Sequence, residues 1–226
     1  MPDGVTAILG TLAFLGAGFG LLLSAIAIIA LALSGRRRLA RQVTLLAGAA
    51  VAIYAIVLSA VSIASVEQVL PAGAEKYFCE LDCHLAYSVA AVHAAPATAG
   101  QLYVLSLRTR FDERSISPNR GDGELYPNPR GIWLVDAEGR SYAPVVDAGQ
   151  GTVGADGAAS TPVSAPLRPG QSYITRLAFE LPATARDPKL LLTESDWPTW
   201  FVIGHENSLL HRKTLLELPR AVSAER

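Results

Sequence analysis

Two long apolar runs fill the first third of the chain, and a short polar connection separates them. No charged residue occurs within 4–35 or within 42–66. Each run has roughly 25 to 30 residues, which is enough for a helix to cross a bilayer hydrocarbon core of about 30 Å. The pattern therefore predicts a transmembrane helical hairpin over residues 1–70, with helices over about 5–34 and 43–66.

The connection between the two runs is rich in arginine. It contains Arg36, Arg37, Arg38 and Arg41. Lys and Arg beside membrane spans are retained on the cytoplasmic side. We therefore expect the connection in the cytoplasm of a bacterium, with the N-terminus and residues 71–226 on the periplasmic side of the inner membrane.

Small residues interrupt both apolar runs. Gly16, Gly18 and Gly20 lie in the first run, where Gly16 and Gly20 form a small-x-x-x-small pair, and Gly48 lies in the second. In lipid, small residues matter because they let helix backbones approach closely. Two interpretations follow: the two helices pack on each other through these glycines, or one face docks against helices of another membrane protein. Neither run holds a charge, so the sequence indicates no ion or proton path in the hairpin.

The remaining residues, 71–226, show the two-residue alternation of β-strands. In the run 101–111, one face carries Tyr103, Leu105, Leu107, Thr109 and Phe111. In the run 172–182, one face carries Tyr173, Thr175, Leu177 and Phe179, and Phe179 is a core residue if that face is the buried one. A loop rich in Gly, Ala, Ser and Pro separates Pro144 from Pro166. About seven strands are predicted, the number typical of a two-sheet antiparallel sandwich. They cover 77–92, 101–111, 132–136, 140–142, 172–182, 189–193 and 211–218.

Three local motifs carry a resemblance to a known class of domain. They are the hairpin Asp136-x-x-Gly139-x-x-Tyr142, the turn Leu167-x-Pro-Gly170 and the segment Phe179-Glu-Leu-Pro182. Together they resemble membrane-anchored or secreted bacterial immunoglobulin-like domains of uncharacterised function, over about residues 100 to 195. The resemblance implies an immunoglobulin-like sandwich and an interaction or accessory role, and it specifies no reaction.

Cys79, Cys83 and His84 form the one sequence cluster with reactive potential. In a regular strand the two cysteine α-carbons would lie about 13 Å apart, whereas a disulfide requires less than about 7 Å. A disulfide therefore requires the chain to turn or coil between them. The alternatives are free thiols, or a copper or zinc site formed by the thiolates and the imidazole.

Two membrane helices followed by a β-domain, with two cysteines separated by three intervening residues, are similar to subunit II of cytochrome oxidase. This resemblance implies a dinuclear copper site at Cys79 and Cys83. Tyr87 stands where that family has a histidine, and Met1 is the only methionine, so the family's ligand set is incomplete in this chain.

Aromatic residues cluster near the C-terminus, at Trp197, Trp200 and Phe201. Such side chains close a core, rest at the membrane surface or contact a partner protein. His205 and His211 are six residues apart, which does not match the zinc pattern of two histidines four apart on a helix.

These patterns favour a non-enzymatic accessory or scaffolding subunit of a larger membrane complex, of an electron-transfer or photosynthetic kind, with no cofactor of its own. The alternative is a periplasmic copper, zinc or redox protein that uses the cluster at Cys79, Cys83 and His84. A sensor ectodomain is a third option, but only about eight residues would face the cytoplasm. The formal net charge of −1, with arginines concentrated in the connection, argues against nucleic-acid binding.

Overall fold

The computed structural model describes residues 3–78, 84–98, 100–115, 119–128, 130–147, 160–194 and 197–223. It contains two long helices, α1 (Asp3–Leu33) and α2 (Arg37–Ala64). By length and composition, the stretches Ile8–Leu33 and Arg37–Ala64 are apolar enough to cross a membrane. The second helix begins at Arg37, earlier than predicted, because arginine is a good helix former and needs no apolar neighbour to continue a helix. The connection is correspondingly short, with Gly35 at a φ of +74°.

The less exposed side chains of the helices recur every three or four residues, which identifies the packed side of each helix. On α1 they include Phe14, Ala17, Ser24 and Ile28, and on α2 they include Val43, Ala47, Tyr54 and Leu58. The four glycines of the sequence prediction are themselves exposed. A β-carbon added at Gly16, Gly18, Gly20 or Gly48 would meet no atom within 4 Å beyond its own helix. Packing of the two helices on each other through these glycines is therefore not observed.

The chain after the hairpin forms a β-domain of two sheets. Its strands in the described residues are β1 (Gln68–Leu70), β2 (Lys76–Tyr77), β3 (Leu85–Ala97), β4 (Gly100–Phe111), β5 (Arg130–Val135), β6 (Ser141–Tyr142), β7 (Val146–Asp147), β8 (Ser172–Pro182), β9 (Lys189–Glu194), β10 (Thr214–Glu217) and β11 (Val222–Ser223). One sheet has the order β1-β10-β9-β5-β6, and the other has the order β11-β3-β4-β8-β7 with β2 also paired to β3. Most pairs are antiparallel, and β1–β10 and β11–β3 are parallel.

A single hydrophobic cluster joins the two sheets. Leu105, Leu107 and Phe179 from one sheet and Leu134 and Leu190 from the other belong to it. The alternation predicted for β4 and β8 is confirmed, since each of these side chains is almost completely buried. The expectation of an all-β domain built from two sheets is confirmed in this coarse form.

The shortest strands differ from the prediction. The run 77–92 divides into β2 and β3, and β7 falls inside the loop predicted over 144–166, of which 148–159 lie outside the described residues. The predicted strand over 211–218 shortens to β10. These two- to four-residue strands carry too few side chains for a recognisable alternation, and they exist because a longer strand pairs with them.

The chain divides into two compact units. One consists of Met1–Val66 together with Trp197–Arg212, and the other consists of Glu67–Asp196 together with Lys213–Arg226. The stretch between β9 and β10 therefore belongs to the unit that contains both helices.

Candidate functional site

A cavity of about 210 Å³ opens in the β-domain beside the start of β3. Its lining residues are Phe78, His84, Leu85, Leu125, Tyr126, Asn128, Arg130 and Glu194. Small-molecule sites have volumes of about 300–1,000 Å³. This cavity is therefore smaller than most such sites.

The charged wall of the cavity is a buried ion pair. The guanidinium of Arg130 contacts the carboxylate of Glu194, and their side chains are only 3% and 1% exposed. Arg130 also donates a hydrogen bond of 3.2 Å from Nε to the hydroxyl of Tyr87. Its guanidinium carbon lies 4.2 Å from the ring centroid of Phe78 and 5.4 Å from that of Tyr87. Arg130 is thus held on several sides, and its charge is compensated within the fold.

Lys76 connects the two sheets behind this wall. Its strand pairs with β3, but its ammonium donates to the carbonyl oxygens of Leu192 at 2.7 Å and Thr214 at 2.8 Å, in two strands of the other sheet. The Lys76 nitrogen also lies 5.1 Å from the centroid of the Phe78 ring. Phe78 therefore contacts two cations, which fixes the wall of the cavity.

His84 lies at the rim of the cavity and is almost buried. Its Nδ1 is 3.0 Å from the hydroxyl oxygen of Ser115, and its ring stacks on Phe111 at 5.4 Å between centroids. Cys79 and Cys83 lie outside the described residues, so both the disulfide and the metal site stay predictions. Within the described part of the chain, no group of three or more His, Cys, Asp or Glu is arranged to hold a metal ion.

A second polar cluster joins β2 to the end of β4. Arg110 donates to both carboxylate oxygens of Glu75, at 2.8 and 2.6 Å. The hydroxyl oxygen of Tyr77 lies 2.9 Å from a carboxylate oxygen of Glu75 and 2.9 Å from one of Asp112, and its single proton bonds to one of them at a time. Arg114 donates to Asp112 at 3.1 Å. The cluster ties a two-residue strand to its neighbours, and its contacts are all between described residues of the β-domain.

The protonation states in this cluster follow from its hydrogen bonds. The hydrogen bond from Arg114, followed by those from Arg110 and Tyr77, holds the pKa of the Asp112 carboxyl well below its usual range. The hydrogen bond from Arg110 likewise lowers the pKa of Glu75. Burial, with help from the two carboxylates, raises the pKa of Tyr77 to about 12. Both acids are thus ionised at neutral pH, and an acid of this kind serves as a structural ion-pair partner rather than as a proton donor.

The predicted aromatic cluster lies in the helical unit, in a 3₁₀ helix from Trp197 to Phe201. The side chains of Trp197 and Trp200 are 64% and 44% exposed, and Phe201 is 38% exposed. Closure of a core by these residues is therefore wrong. A membrane-surface or partner contact stays a prediction.

Of the remaining predicted residues, the arginines of the connection are accessible and His205 is not. Arg36, Arg37, Arg38 and Arg41 are all exposed around the turn between the helices. His205 is buried and accepts a hydrogen bond of 2.9 Å from the backbone N–H of Asn207, as expected for a capped turn.

Comparisons with known proteins add little to the description of the fold and the cavity. No protein-family model and no curated protein matches the chain. Among solved structures, the chain is similar to the secreted protein MPT63 of Mycobacterium tuberculosis, with 12% sequence identity and a TM-score of 0.42 over 68% of this chain and 99% of that chain. The comparisons give no link to cytochrome oxidase.

Proposed function

We propose that the chain is a membrane-anchored, non-enzymatic accessory subunit of a larger membrane complex. The hairpin crosses the bacterial inner membrane twice, and its arginine connection faces the cytoplasm. The β-domain is an immunoglobulin-like module in the periplasm and supplies the interaction surface outside the membrane. The host is a membrane assembly, for example of the electron-transfer or photosynthetic kind.

Length, composition and charge support the membrane placement. The two apolar stretches contain 26 and 28 residues, so their helices are about 39 and 42 Å long. These lengths exceed a hydrocarbon core of about 30 Å and allow tilt. Arg36 and its neighbours are exposed at one end of the pair, where the positive-inside rule assigns the cytoplasm.

Strand order supports the immunoglobulin-like assignment. An immunoglobulin fold has strands A, B, E and D in one sheet and C, F and G in the other. The series β3-β4-β8-β7 and β5-β9-β10 correspond to those two sets when β3 is taken as strand A. The short strands β1, β2, β6 and β11 are then additions at the edges.

The main support for the accessory role is that two glycines of α1, one turn apart, have no neighbour within this chain. Gly16 and Gly20 lie one turn apart, and a β-carbon at either would meet no atom within 4 Å beyond its own helix. Both glycines are exposed, whereas Phe14 and Ala17 of the same helix are partly buried. Small residues one turn apart are the pattern through which membrane helices approach each other closely. A second protein's helix is the partner that fits this face.

A matched set of variants tests the proposal. Gly18 lies about 200° around the helix from Gly16, so Gly18→Leu adds the same side chain on another side. Native electrophoresis after mild-detergent extraction, followed by mass spectrometry, should place the unmodified chain in a band far above its own 23.9 kDa with defined companions. The double change Gly16→Leu and Gly20→Leu should release it from that band, whereas Gly18→Leu should not. An unmodified chain that migrates as a monomer, or companions that survive the double change, would contradict the proposal.

A further inference from the structure

The segment Trp197–Arg212, named here the aromatic segment, joins β9 to β10 yet belongs to the compact unit of the helices. Its first five residues form the 3₁₀ helix, and backbone turns follow. The N–H of Leu209 returns to the carbonyl of Trp200 at 3.1 Å and closes the segment into a compact loop. It is therefore a built element whose own hydrogen bonds determine its shape.

Three contacts hold the aromatic segment against the hairpin. The carbonyl of Ile203 approaches α1 so closely that a β-carbon at Gly10 would lie 1.9 Å from its oxygen. The hydroxyl of Tyr54 in α2 donates a hydrogen bond of 2.7 Å to the carbonyl of Phe201. The N–H of Arg212 donates to the hydroxyl of Ser65, just after α2, at 2.8 Å. The segment thus contacts both helices.

The positions of these contacts define the height of the aromatic segment along the helices. Gly10 lies two residues inside the apolar stretch Ile8–Leu33. Tyr54 lies ten residues before the end of α2 at Ala64, about 15 Å along the helix axis. Ser65, at the other end of the segment, follows α2 directly. The segment therefore extends from the outer end of α2 to a level about 15 Å along it, beside the outer half of the two stretches proposed to cross the membrane.

Most large apolar side chains of the aromatic segment are exposed, whereas several of its polar side chains are buried; Val202, which is buried, and Arg212, which is exposed, are the exceptions. Its exposed large side chains are Trp197, Trp200, Phe201, Leu209 and Leu210. Thr199, His205 and Ser208 are buried instead. The amide of Asn207 donates to the hydroxyl of Thr199 at 2.7 Å, and the hydroxyl of Ser208 donates to the carbonyl of Val202. This distribution is the reverse of that of a loop in water, where polar side chains face outward.

We infer that the exposed side of the aromatic segment lies in the outer leaflet of the membrane, where Trp197 and Trp200 contact lipid at the boundary between headgroups and acyl chains. Tryptophan favours that level because its ring is apolar and its N–H is polar. Several polar groups of the segment bond to one another, including Asn207 to Thr199 and Ser208 to Val202, which lowers the cost of placing the segment against lipid. Between Trp197 and Gly204 there is no charged residue to oppose it. The inference rests on the membrane anchoring in the proposed function, and it deepens that function by assigning lipid as the partner of this surface.

Fluorescence quenching in nanodiscs tests the inference. The full chain contains Trp133, Trp197 and Trp200, so a reporter variant carries Trp133→Phe and Trp200→Phe and leaves Trp197 as the only tryptophan. The matched control carries Trp197→Phe and Trp200→Phe and leaves Trp133, which is half-buried in β5. In nanodiscs of phosphatidylcholine with dibrominated acyl chains, emission from Trp197 should fall to about half or less of its value in unbrominated nanodiscs, because interfacial tryptophan contacts the chains. Emission from Trp133 should change much less.

The outcomes separate the two proposals. Sodium carbonate extraction of native membranes first reports whether the hairpin is embedded, and release of the chain would overturn the anchoring in the proposed function. If the chain is retained but bromine quenches Trp197 no more than Trp133, the lipid assignment alone is overturned. Strong quenching of Trp197 by aqueous acrylamide would assign the segment to water. Protection of Trp197 from both bromine and acrylamide would mean that the tryptophan is covered by protein. Exposure to water and coverage by protein would each contradict the inference.

Discussion

Gly10→Ala offers the sharpest test of how the aromatic segment is held. The added β-carbon would lie 1.9 Å from the carbonyl oxygen of Ile203 and 3.0 Å from its carbonyl carbon. Normal contact between a carbon and an oxygen is longer by about 1 Å or more, so the segment has to move. Both neighbours are backbone atoms, which cannot rotate away as a side chain can. We expect the segment to separate from α1 at this point.

The magnitude follows from the contacts that the movement disturbs. Overpacking a close contact costs about 1–3 kcal/mol. Displacement also weakens the hydrogen bond from Tyr54 to Phe201, which has a net value of about 0.5–1.5 kcal/mol. The free energy of opening the segment should therefore fall by about 2–4 kcal/mol, limited by the opening free energy available in the unmodified protein.

Hydrogen exchange with mass spectrometry, in one detergent for all variants, measures this opening. Peptides covering 197–212 should exchange roughly 30-fold faster in Gly10→Ala for a change of about 2 kcal/mol. Gly18→Ala is the matched control, because a β-carbon there meets nothing within 4 Å and alanine improves helix propensity by up to about 1 kcal/mol. Equal exchange in the two variants would show that Gly10 and Ile203 do not make this close contact.

Three further perturbations address the β-domain. Phe179→Ala should lower the free energy of unfolding by about 3–5 kcal/mol in denaturant titration, because the ring is completely buried, and a loss below about 1 kcal/mol would place that face of β8 outside the core. Because the pKa of Asp112 is lowered in the folded state, chiefly by Arg114, its stabilisation is present above the unfolded pKa of about 3.9 and is lost as the pH falls below it. Thermal unfolding followed from pH 7 downward should therefore decline less steeply below about pH 4 in Asp112→Asn than in the unmodified protein, and parallel curves would refute the assignment. Arg130→Met should cost about 3–5 kcal/mol because it leaves a buried carboxylate uncompensated, whereas adding Glu194→Leu should recover part of that loss, and additive losses in the double-mutant cycle would show that the two groups are not coupled.

Local sequence pattern was sufficient for the long elements. An uncharged apolar run predicts a long helix without knowledge of its surroundings, and α1 and α2 follow the two runs closely. Alternation over eleven or twelve residues likewise predicts which face of β4 and β8 is buried, because the side-chain period of a strand is two wherever the strand lies. The turn glycine Gly139, at a φ of +78°, follows from the same local chemistry.

Contacts between distant positions could not be read from that pattern. Arg130 and Glu194 are far apart in the sequence. Taken singly, each resembles an ordinary charged residue at the end of a strand, and nothing nearby in the sequence indicates its partner. They become one buried pair because β5 and β9 are neighbours in register, with Arg130 opposite Glu194. The glycines show the same limit. The sequence pattern drew attention to Gly16 and Gly20, but on α1 the close backbone approach occurs at Gly10, which no local motif marks.

The aromatic segment shows most clearly what each level of description decides. The sequence by itself determined that two apolar helices precede an all-β domain and that a tryptophan-rich stretch lies near the C-terminus, since these properties depend on residues close together along the chain. Only the tertiary structure assigned 197–212 to the unit of the helices and turned its polar side chains inward. The physical reason is that Gly10, Tyr54 and Ser65 lie between about 130 and 200 residues away from it in the chain, and burial and hydrogen bonding act between residues that are close in space.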